Sequence, residues 1–338
     1  MRRTLRLVGI YLVLSVAVIA SLEGFYRYLR SHKDYYSRSL PGQFENREDG
    51  WAQSDPDLGW IFSGKNVDRF KSRHYRAEDW ASAPNREGFR AEKDFRDLGP
   101  KSGTKRIMVL GDSFVFGTYI KYAETLPVLL RHELGPGYET YNLGMPGWGL
   151  DQMYLAYRKY VDLVDPDIVI LVFIDNDILR VFESFATSER MNKPGFDVED
   201  GKLVRRLDTE PGRMDRLAQH SRILNDIYRK IIRRYWSADI CEAILLELSK
   251  ETGRRGQTFI IVRYPLRKGL ADGDADDDFD LGDFSRRHGM TYLDPFDAMR
   301  ARGDAIFRTF HLENDPHPAM AGNRFMARYI VEKALRRD

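Results

Sequence analysis

Two stretches at opposite ends of the chain carry residue types that could do nucleophilic chemistry together. Ser113 follows the apolar run 107–110 and a Gly-Asp pair, a pattern that predicts a buried strand ending in a tight turn, with the serine at its carboxyl end. Asp315 and His317 stand near the far end of the chain. An imidazole oriented by a carboxylate can take the proton of a serine hydroxyl and make its oxygen a nucleophile. A serine after a strand can also simply cap the next helix, and the distant Asp-His pair favours the nucleophile.

Two further segments end the next two predicted strands, and both offer hydrogen-bond donors. Gly144 ends the strand region 139–143, and a glycine there can turn its backbone N–H toward a neighbouring site without a side chain in the way. Asn176 follows the strand region 168–173 and can donate from its amide. Donors of this kind could hold the negative oxygen that forms when a nucleophile attacks a carbonyl.

Four sequence blocks carry a resemblance to a known family. In chain order they are GDSF at 111–114, NLGMPG at 142–147, FIDND at 173–177 and DPHP at 315–318. Together they resemble the blocks of the SGNH/GDSL hydrolase superfamily, which is named after its serine, glycine, asparagine and histidine. The resemblance covers roughly residues 105–335, and the four blocks in this order are specific where any one of them is not.

The resemblance implies a role for each residue of the predicted site. Ser113 is the implied nucleophile, His317 the implied base and Asp315 the acid that orients it. The oxyanion would be held by the backbone N–H groups of Ser113 and Gly144 and by the amide of Asn176.

The chain departs from the family pattern at two places. Ile174 stands where the family usually has a glycine, which puts the local backbone shape in question. A single residue separates Asp315 from His317, where two are often seen. His311 is a conceivable alternative base, and we expect it to pack or to line the site.

Alternating strand and helix patterns predict a three-layer α/β/α fold around a parallel five-stranded sheet of flavodoxin-like order. The predicted strands lie at 106–110, 139–143, 168–173, 258–262 and 290–293. The predicted helices lie at 124–134, 150–164, 238–251 and 321–335.

The N-terminus opens with basic residues followed by an uncharged apolar stretch, 7–22. A helix needs roughly 20 residues to cross a bilayer, so we predict a short single-pass transmembrane anchor within residues 1–30. A cleaved signal peptide is the alternative. Basic residues flank both ends, so the positive-inside rule does not decide the orientation. We place the catalytic part on the extracytoplasmic, periplasmic side of a bacterial membrane.

The remaining chain divides into a loop-rich extension, 31–104, and an SGNH-like domain, 105–338, with an insertion at about 180–235. Trp60 and Phe89 are expected to pin the extension onto the domain, and a further hypothesis takes Arg90 to the mouth of the site. The insertion is predicted to be either a lid that shapes the substrate site or a helical brace near the membrane.

Composition excludes several classes of function. The net charge of +2 balances 53 basic against 51 acidic residues, which argues against a nucleic-acid partner. The seven histidines have no paired ligand spacing. The acidic run 272–278 has Asp277 at its sixth position, where a calcium loop requires glycine. We therefore predict no metal and no cofactor. The only cysteine, Cys241, lies in an apolar helical pattern and is expected to be buried.

These observations predict a membrane-anchored serine esterase that acts through an acyl-enzyme. The expected partner is an ester substrate, an O-acyl or O-acetyl group on a carbohydrate or lipid of the cell envelope. A polysaccharide O-acetyltransferase with the same triad is one alternative. A non-catalytic carbohydrate-binding or assembly protein on the same fold is another.

Overall fold

The structure is a computed structural model. It describes residues 2–30, 51–65, 84–181, 185–186, 191–206, 221–227, 233–266, 280–303, 308–313 and 315–336.

The strands are β1 Ala52–Asp55, β2 Gly59–Phe62, β3 Lys105–Gly111, β4 Tyr138–Gly144, β5 Ile168–Phe173, β6 Phe185–Ala186, β7 Met191–Asn192, β8 Gly195–Glu199, β9 Lys202–Arg206, β10 Thr258–Arg263 and β11 Thr291–Leu293. The helices are α1 Arg2–Arg30, α2 Ser113–Phe116, α3 Leu126–Leu134, α4 Leu150–Val164, α5 Asp175–Arg180, α6 Arg222–Ile227, α7 Arg233–Arg254, α8 Leu281–Arg287, α9 Phe296–Arg300 and α10 Met320–Ile330.

Five parallel strands form the central sheet, in the order β11-β10-β5-β3-β4. Numbered along the chain from β3, this is the order 2-1-3-4-5 of a flavodoxin-like sheet, as predicted. β4 lies on one side of β3, and β5 lies on the other side. In such sheets ligands bind outside the carboxyl ends of the strands at this reversal, which is where β3 and β5 end.

Helices cover both faces of the sheet, which confirms the three-layer architecture. Successive side chains of β3 point to opposite faces because a strand has a period of two. Met108 and Leu110 belong to one buried cluster with α4 and α7, whereas Ile107 and Val109 belong to a second with α3 and α10. Burial on both faces explains why these strands read as continuous apolar runs in the sequence.

The described part of the N-terminal extension packs onto the same core. A hairpin of β1 and β2 places Trp60 in full burial, and the indole N–H of Trp60 donates to the Pro146 carbonyl at 3.0 Å. The ring of Phe89 meets Trp148 edge-on, with 5.9 Å between centroids. Trp60 and Phe89 therefore fasten the extension as the sequence predicts.

The chain divides into two compact units, and their bounds differ from the predicted domains. One unit comprises Met1–Phe44 and Glu210–Tyr235, and the other comprises Glu45–Thr209 and Trp236–Asp338. Within the first, Ser221 Oγ donates to Glu23 Oε2 at 2.9 Å and so ties α6 to α1. Residues 45–104 of the predicted extension belong to the same unit as the sheet and residues 31–44 to the other, and the predicted insertion at 180–235 is likewise divided between the two units.

No helix within the described ranges combines the length and apolar character of a membrane span. The transmembrane helix stays a prediction from the sequence.

Candidate active site

The predicted site residues of the sheet come together at one edge. Ser113 follows β3, Gly144 ends β4 and Asn176 lies just after β5. Gly111 is paired with Gly144 in the ladder, so the carboxyl ends of these strands are level. The topology thus gathers three residues that are far apart in the chain.

The nucleophile turn is a one-turn helix packed tightly against the strand ends. Asp112 Oδ1 accepts from the Phe114 N–H at 2.8 Å, so Asp112 caps this helix and Ser113 is its first residue. A Cβ on Gly111 would lie 2.3 Å from Val115 Cγ2, and one on Gly144 would lie 2.3 Å from the Phe116 nitrogen. Glycine at both places lets α2 sit close to the sheet. Capping is therefore done by Asp112, and the alternative that Ser113 is the cap is wrong.

The predicted acid and base are in direct contact. His317 Nδ1 forms a short hydrogen bond with Asp315 Oδ1, and the backbone N–H of His317 donates to the same oxygen at 2.9 Å. Burial alone would raise the pKa of Asp315, but the hydrogen bond and charge of His317 outweigh it and lower that pKa. A carboxylate on Nδ1 favours the tautomer whose Nε2 can accept a proton. The one-residue spacing between acid and base is thus compatible with their predicted roles.

Aromatic contacts bring His317 to the nucleophile turn. The imidazole centroid lies 5.4 Å from the ring of Phe114, the residue after Ser113. On another side, the Tyr119 ring meets the imidazole edge-on at 5.6 Å. His317 therefore stands beside the helix that carries the serine, with 19% of its side chain exposed.

The serine hydroxyl is hydrogen bonded to a carboxylate rather than to the imidazole. Ser113 Oγ donates to Asp112 Oδ2 at 3.2 Å. Among the described residues, no hydrogen bond joins Ser113 to His317. Proton transfer to His317 therefore requires the serine side chain to turn away from Asp112.

The three predicted oxyanion donors differ in availability. Gly144 N–H donates to Asn142 Oδ1 at 2.9 Å, so this donor is occupied. The exposed Asn176 side chain and the Ser113 N–H make no hydrogen bond within the described ranges. Gly147, two residues beyond Met145 in the same loop, has a φ of +82° and is partly exposed. Its N–H has no partner in the described chain.

Gly147 is a candidate donor that the sequence analysis missed. The available signal was the second glycine of the NLGMPG block, at a position where the chain must turn.

A buried charge cluster lies behind the serine. Arg180 Nη1 donates to Asp112 Oδ2 at 3.3 Å and to the Trp148 carbonyl at 3.1 Å, and it forms a short contact with Asp177. Burial, and next the charge of Asp112, raise the pKa of Asp177 well above its ordinary value against the opposing charge of Arg180. The guanidinium thus balances two buried carboxyl groups, one of which holds the serine hydroxyl.

The departure at Ile174 has a simple structural account. Its φ is −112°, an extended conformation open to any residue, and its N–H donates to Asp177 Oδ2 at 3.0 Å. No glycine is needed at this position. Nearby, Arg263 holds Asp175 with two hydrogen bonds of 2.8 and 2.9 Å and reaches Asp294 at 3.1 Å. This links the ends of β10 and β11 to the turn that carries Asn176.

Among the other residues singled out from the sequence, His311 pairs with Pro318, the residue after His317, in an isolated β-bridge. His311 is buried, and its Nε2 lies 3.1 Å from the Pro265 carbonyl. Cys241 is buried as predicted. The acidic run 272–278 falls outside the described residues. Across the ranges that the structure describes, no group of three or more His, Cys, Asp or Glu side chains could hold a metal ion.

Comparisons with known proteins match structures only. No protein-family model matches the chain, and no curated protein does either. A lipase/acylhydrolase from Enterococcus faecalis is 14% identical, with 68% of this chain and 94% of that one covered and a TM-score of 0.42. A GDSL-like lipase from Bacteroides thetaiotaomicron is 12% identical, with 70% of this chain and 92% of that one covered and a TM-score of 0.41. An acetylxylan esterase from Geobacillus stearothermophilus is 16% identical, with 70% of this chain and 96% of that one covered and a TM-score of 0.41.

These three structures are thus described as a lipase/acylhydrolase, a GDSL-like lipase and an acetylxylan esterase. Scores and identities this low carry no argument about what this chain does, which has to be made from its own residues.

Proposed function

We propose that this chain is an SGNH-type serine esterase that cleaves its substrate through an acyl-enzyme. The observation that carries the proposal is the Asp315–His317 pair packed against Phe114, the residue next to Ser113. A binding protein has no need of a carboxylate-oriented imidazole beside a serine at a strand end.

The proposed reaction follows from the positions of these groups. Ser113 Oγ turns from Asp112 toward His317, gives its proton to Nε2 and attacks the ester carbonyl. Asp315 stabilises the imidazolium through Nδ1. The oxyanion is held by Ser113 N–H and the amide of Asn176, with a glycine N–H of the loop after β4 as the third donor. The imidazolium then protonates the leaving alcohol, and water releases the acid from the serine.

The predicted third donor, Gly144, would first have to lose its bond to Asn142. Gly147 would not, because its N–H is free within the described chain. We propose that Gly147 supplies this donor if the loop does not rearrange.

We further propose an O-acyl or O-acetyl ester of a cell-envelope carbohydrate or lipid as the substrate. The basis is the predicted export of the chain, which would bring the site to such esters. An O-acetyltransferase would use the same acyl-enzyme and differ only in passing the acyl group to a sugar hydroxyl. Acetyl release from an acetylated polysaccharide, measured with and without an acceptor glycan, separates hydrolysis from transfer.

One observation favours a non-catalytic binding role as the second candidate. The serine hydroxyl is bonded to Asp112, and one predicted oxyanion donor is occupied. A protein that keeps the fold only to bind a glycan could retain this arrangement permanently.

A fluorophosphonate probe tests the esterase proposal on the full-length protein. We expect labelling of the wild type and none of Ser113→Ala or His317→Ala, because the probe reacts only with an activated serine. Thermal unfolding shows whether each variant is folded. Folded wild-type protein that takes no label would overturn the esterase and leave the binding role.

Finally, we propose that residues 7–22 attach the protein to a membrane. The basis is an uncharged apolar run whose described side chains from Leu14 to Leu22 are exposed. Fractionation after an alkaline carbonate wash should leave the wild type with membranes and release a Val16→Asp, Ile19→Asp double variant. A wild type released by the wash would contradict the anchor.

A further inference from the structure

We infer that Arg90 and Tyr119 are positioning residues for the imidazole of His317. The inference rests on the proposed esterase and extends it to a part of the chain that carries none of its reacting groups. Arg90 comes from the N-terminal extension, and Tyr119 lies in the loop 117–120 that follows the nucleophile helix.

Arg90 holds this loop through hydrogen bonds to its backbone carbonyls. Its side chain is fully buried. Its Nη1 donates to the Gly117 carbonyl at 2.6 Å and to the Phe116 carbonyl at 3.3 Å, and its Nη2 donates to the Ile120 carbonyl at 2.8 Å. A planar guanidinium can satisfy several carbonyls in one fixed geometry, which the single ammonium of lysine cannot.

The same guanidinium is held between two rings. Its central carbon lies 5.7 Å from the centroid of Phe116 and 6.0 Å from that of Tyr122. Burial lowers the pKa of Arg90 to about 10, so the group is still cationic at neutral pH. Placing a charge here is costly, and its hydrogen bonds to the Phe116, Gly117 and Ile120 carbonyls hold the end of α2 and the loop after it.

The loop has a conformation that must be imposed. Tyr119 has a φ of +66°, in the left-handed region that side-chain-bearing residues rarely adopt. Backbone strain of this kind persists only where the surroundings over-determine it. On one side the Ser113 carbonyl accepts from the Thr118 N–H at 3.2 Å, and on the other side Arg90 holds the carbonyls of Gly117 and Ile120.

Holding the loop in this conformation fixes the position of the Tyr119 ring. It stands edge-on to the His317 imidazole, at 5.6 Å between centroids and 83° between planes. Phe114 contacts the imidazole as well, and Asp315 fixes Nδ1. Of these three contacts, the one with Tyr119 comes from the loop whose carbonyls Arg90 holds. Arg90 therefore acts on the base through Tyr119, over a path of direct contacts.

Displacing a reacting group by about 1 Å can cost a hundred-fold in rate. We therefore expect Tyr119→Gly, which suits the positive φ but removes the ring, to lower the maximal rate of fluorophosphonate labelling roughly ten- to a hundred-fold. The probe concentration for half-maximal rate should change little. Tyr119→Phe keeps the ring and should lose less. Arg90→Met should lower the maximal labelling rate as much as Tyr119→Gly does, and Arg90→Lys should lower it less.

Arg86→Lys is the matched control in the same segment. Arg86 has a side chain 63% exposed and paired with Asp94, so labelling should match the wild type. Thermal unfolding is measured for every variant. If Arg90→Met does not fold, Arg90→Lys and Tyr119→Gly decide the question.

The outcomes separate the inference from the function on which it rests. Wild-type labelling that needs Ser113 and His317, combined with full maximal rates in folded Tyr119→Gly and Arg90→Lys, would overturn the positioning role alone. A loss of thermal stability without a loss of rate would do the same, since it shows a purely structural clamp. An unlabelled wild type overturns both.

Discussion

The serine and the histidine of the proposed pair are held in opposite ways. Ser113 is 7% exposed and sits on a turn whose backbone is fixed by close contacts with strand ends. His317 lies on a turn before α10, 19% exposed, and is placed by side chains: Asp315, Phe114 and Tyr119. Ser113 is thus fixed by the backbone at the strand ends, whereas His317 is oriented by neighbouring side chains.

This difference predicts that damage to the two halves has different consequences. Changes at the nucleophile turn should be seen first in the free energy of unfolding, because the packing there is shared with the core. Changes around His317 should be seen first in the rate, because the contacts there orient a partly exposed ring. Four measurements test this contrast.

The largest effect on rate is expected from Asp315→Asn. An amide cannot hold the His317 tautomer whose Nε2 is free to accept the serine proton, and the loss in such a triad is about 10⁴-fold. Hydrolysis of p-nitrophenyl acetate measures it, with thermal unfolding as the test of fold. Asp297→Asn, an exposed carboxylate on α9, is the control. A change of less than ten-fold would remove Asp315 from the triad.

The largest effect on stability is expected from Gly144→Ala. The added methyl would lie 2.3 Å from the Phe116 nitrogen and 2.7 Å from the Val115 carbonyl carbon, so strand or helix must move, at a cost of about 3 kcal/mol. Gly137→Ala is the matched control, since it has nothing within 4 Å and precedes the same strand. Equal urea midpoints for the two variants would contradict a backbone-fixed nucleophile turn.

A smaller loss of rate is expected from Asn176→Ala. Removing one oxyanion donor typically costs a hundred-fold or more, about 3 kcal/mol. The exposed side chain makes no hydrogen bond within the described chain, so the unfolding temperature should not move. A full rate in this variant would leave the oxyanion to the backbone donors alone.

The strands and helices that position this site could be predicted because they depend on local sequence patterns. Buried parallel strands read as apolar runs, so β5 was predicted at its observed bounds and β3 to within a residue at each end. The helix predicted at 124–134 begins at Leu126, because residues 122–124 form a separate 3₁₀ turn and Thr125 is extended, with a φ of −70° and a ψ of 151°. The fold and the shared strand edge followed from these patterns and the family resemblance.

Side-chain partnerships could not be predicted in the same way. Nothing in the sequence indicates that Asn142 occupies the Gly144 N–H or that Ser113 Oγ bonds Asp112. The contact of Arg180 with Asp112, 68 residues apart in the chain, exists only because the strands are neighbours. Arg90 is similar: its partners in loop 117–120 are about 30 positions away. Such pairs depend on the packed structure, and no spacing rule anticipates them.

The smallest expected effect is on the pH dependence of stability, and it again separates the two halves. The pKa of Asp315 is lower in the folded protein than its ordinary value near 3.9. Its contribution to stability is therefore fully present above about pH 4 and is lost as the pH falls through the lowered pKa. The pKa of Asp177, behind the serine, is raised instead. Its ionisation opposes folding as the pH rises above about 4, until the raised pKa is passed.

Urea unfolding between pH 3 and 7 should show both signs. Relative to wild type, Asp315→Asn should lose less stability on acidification, because it lacks the carboxylate that acid protonates. Asp177→Asn should show the reverse, a weaker destabilisation as the pH is raised, because its amide does not ionise. Parallel pH profiles for the two variants would mean that both carboxyl groups experience the same environment. The contrast between a buried nucleophile turn and a base oriented by its neighbours would then lose its electrostatic basis.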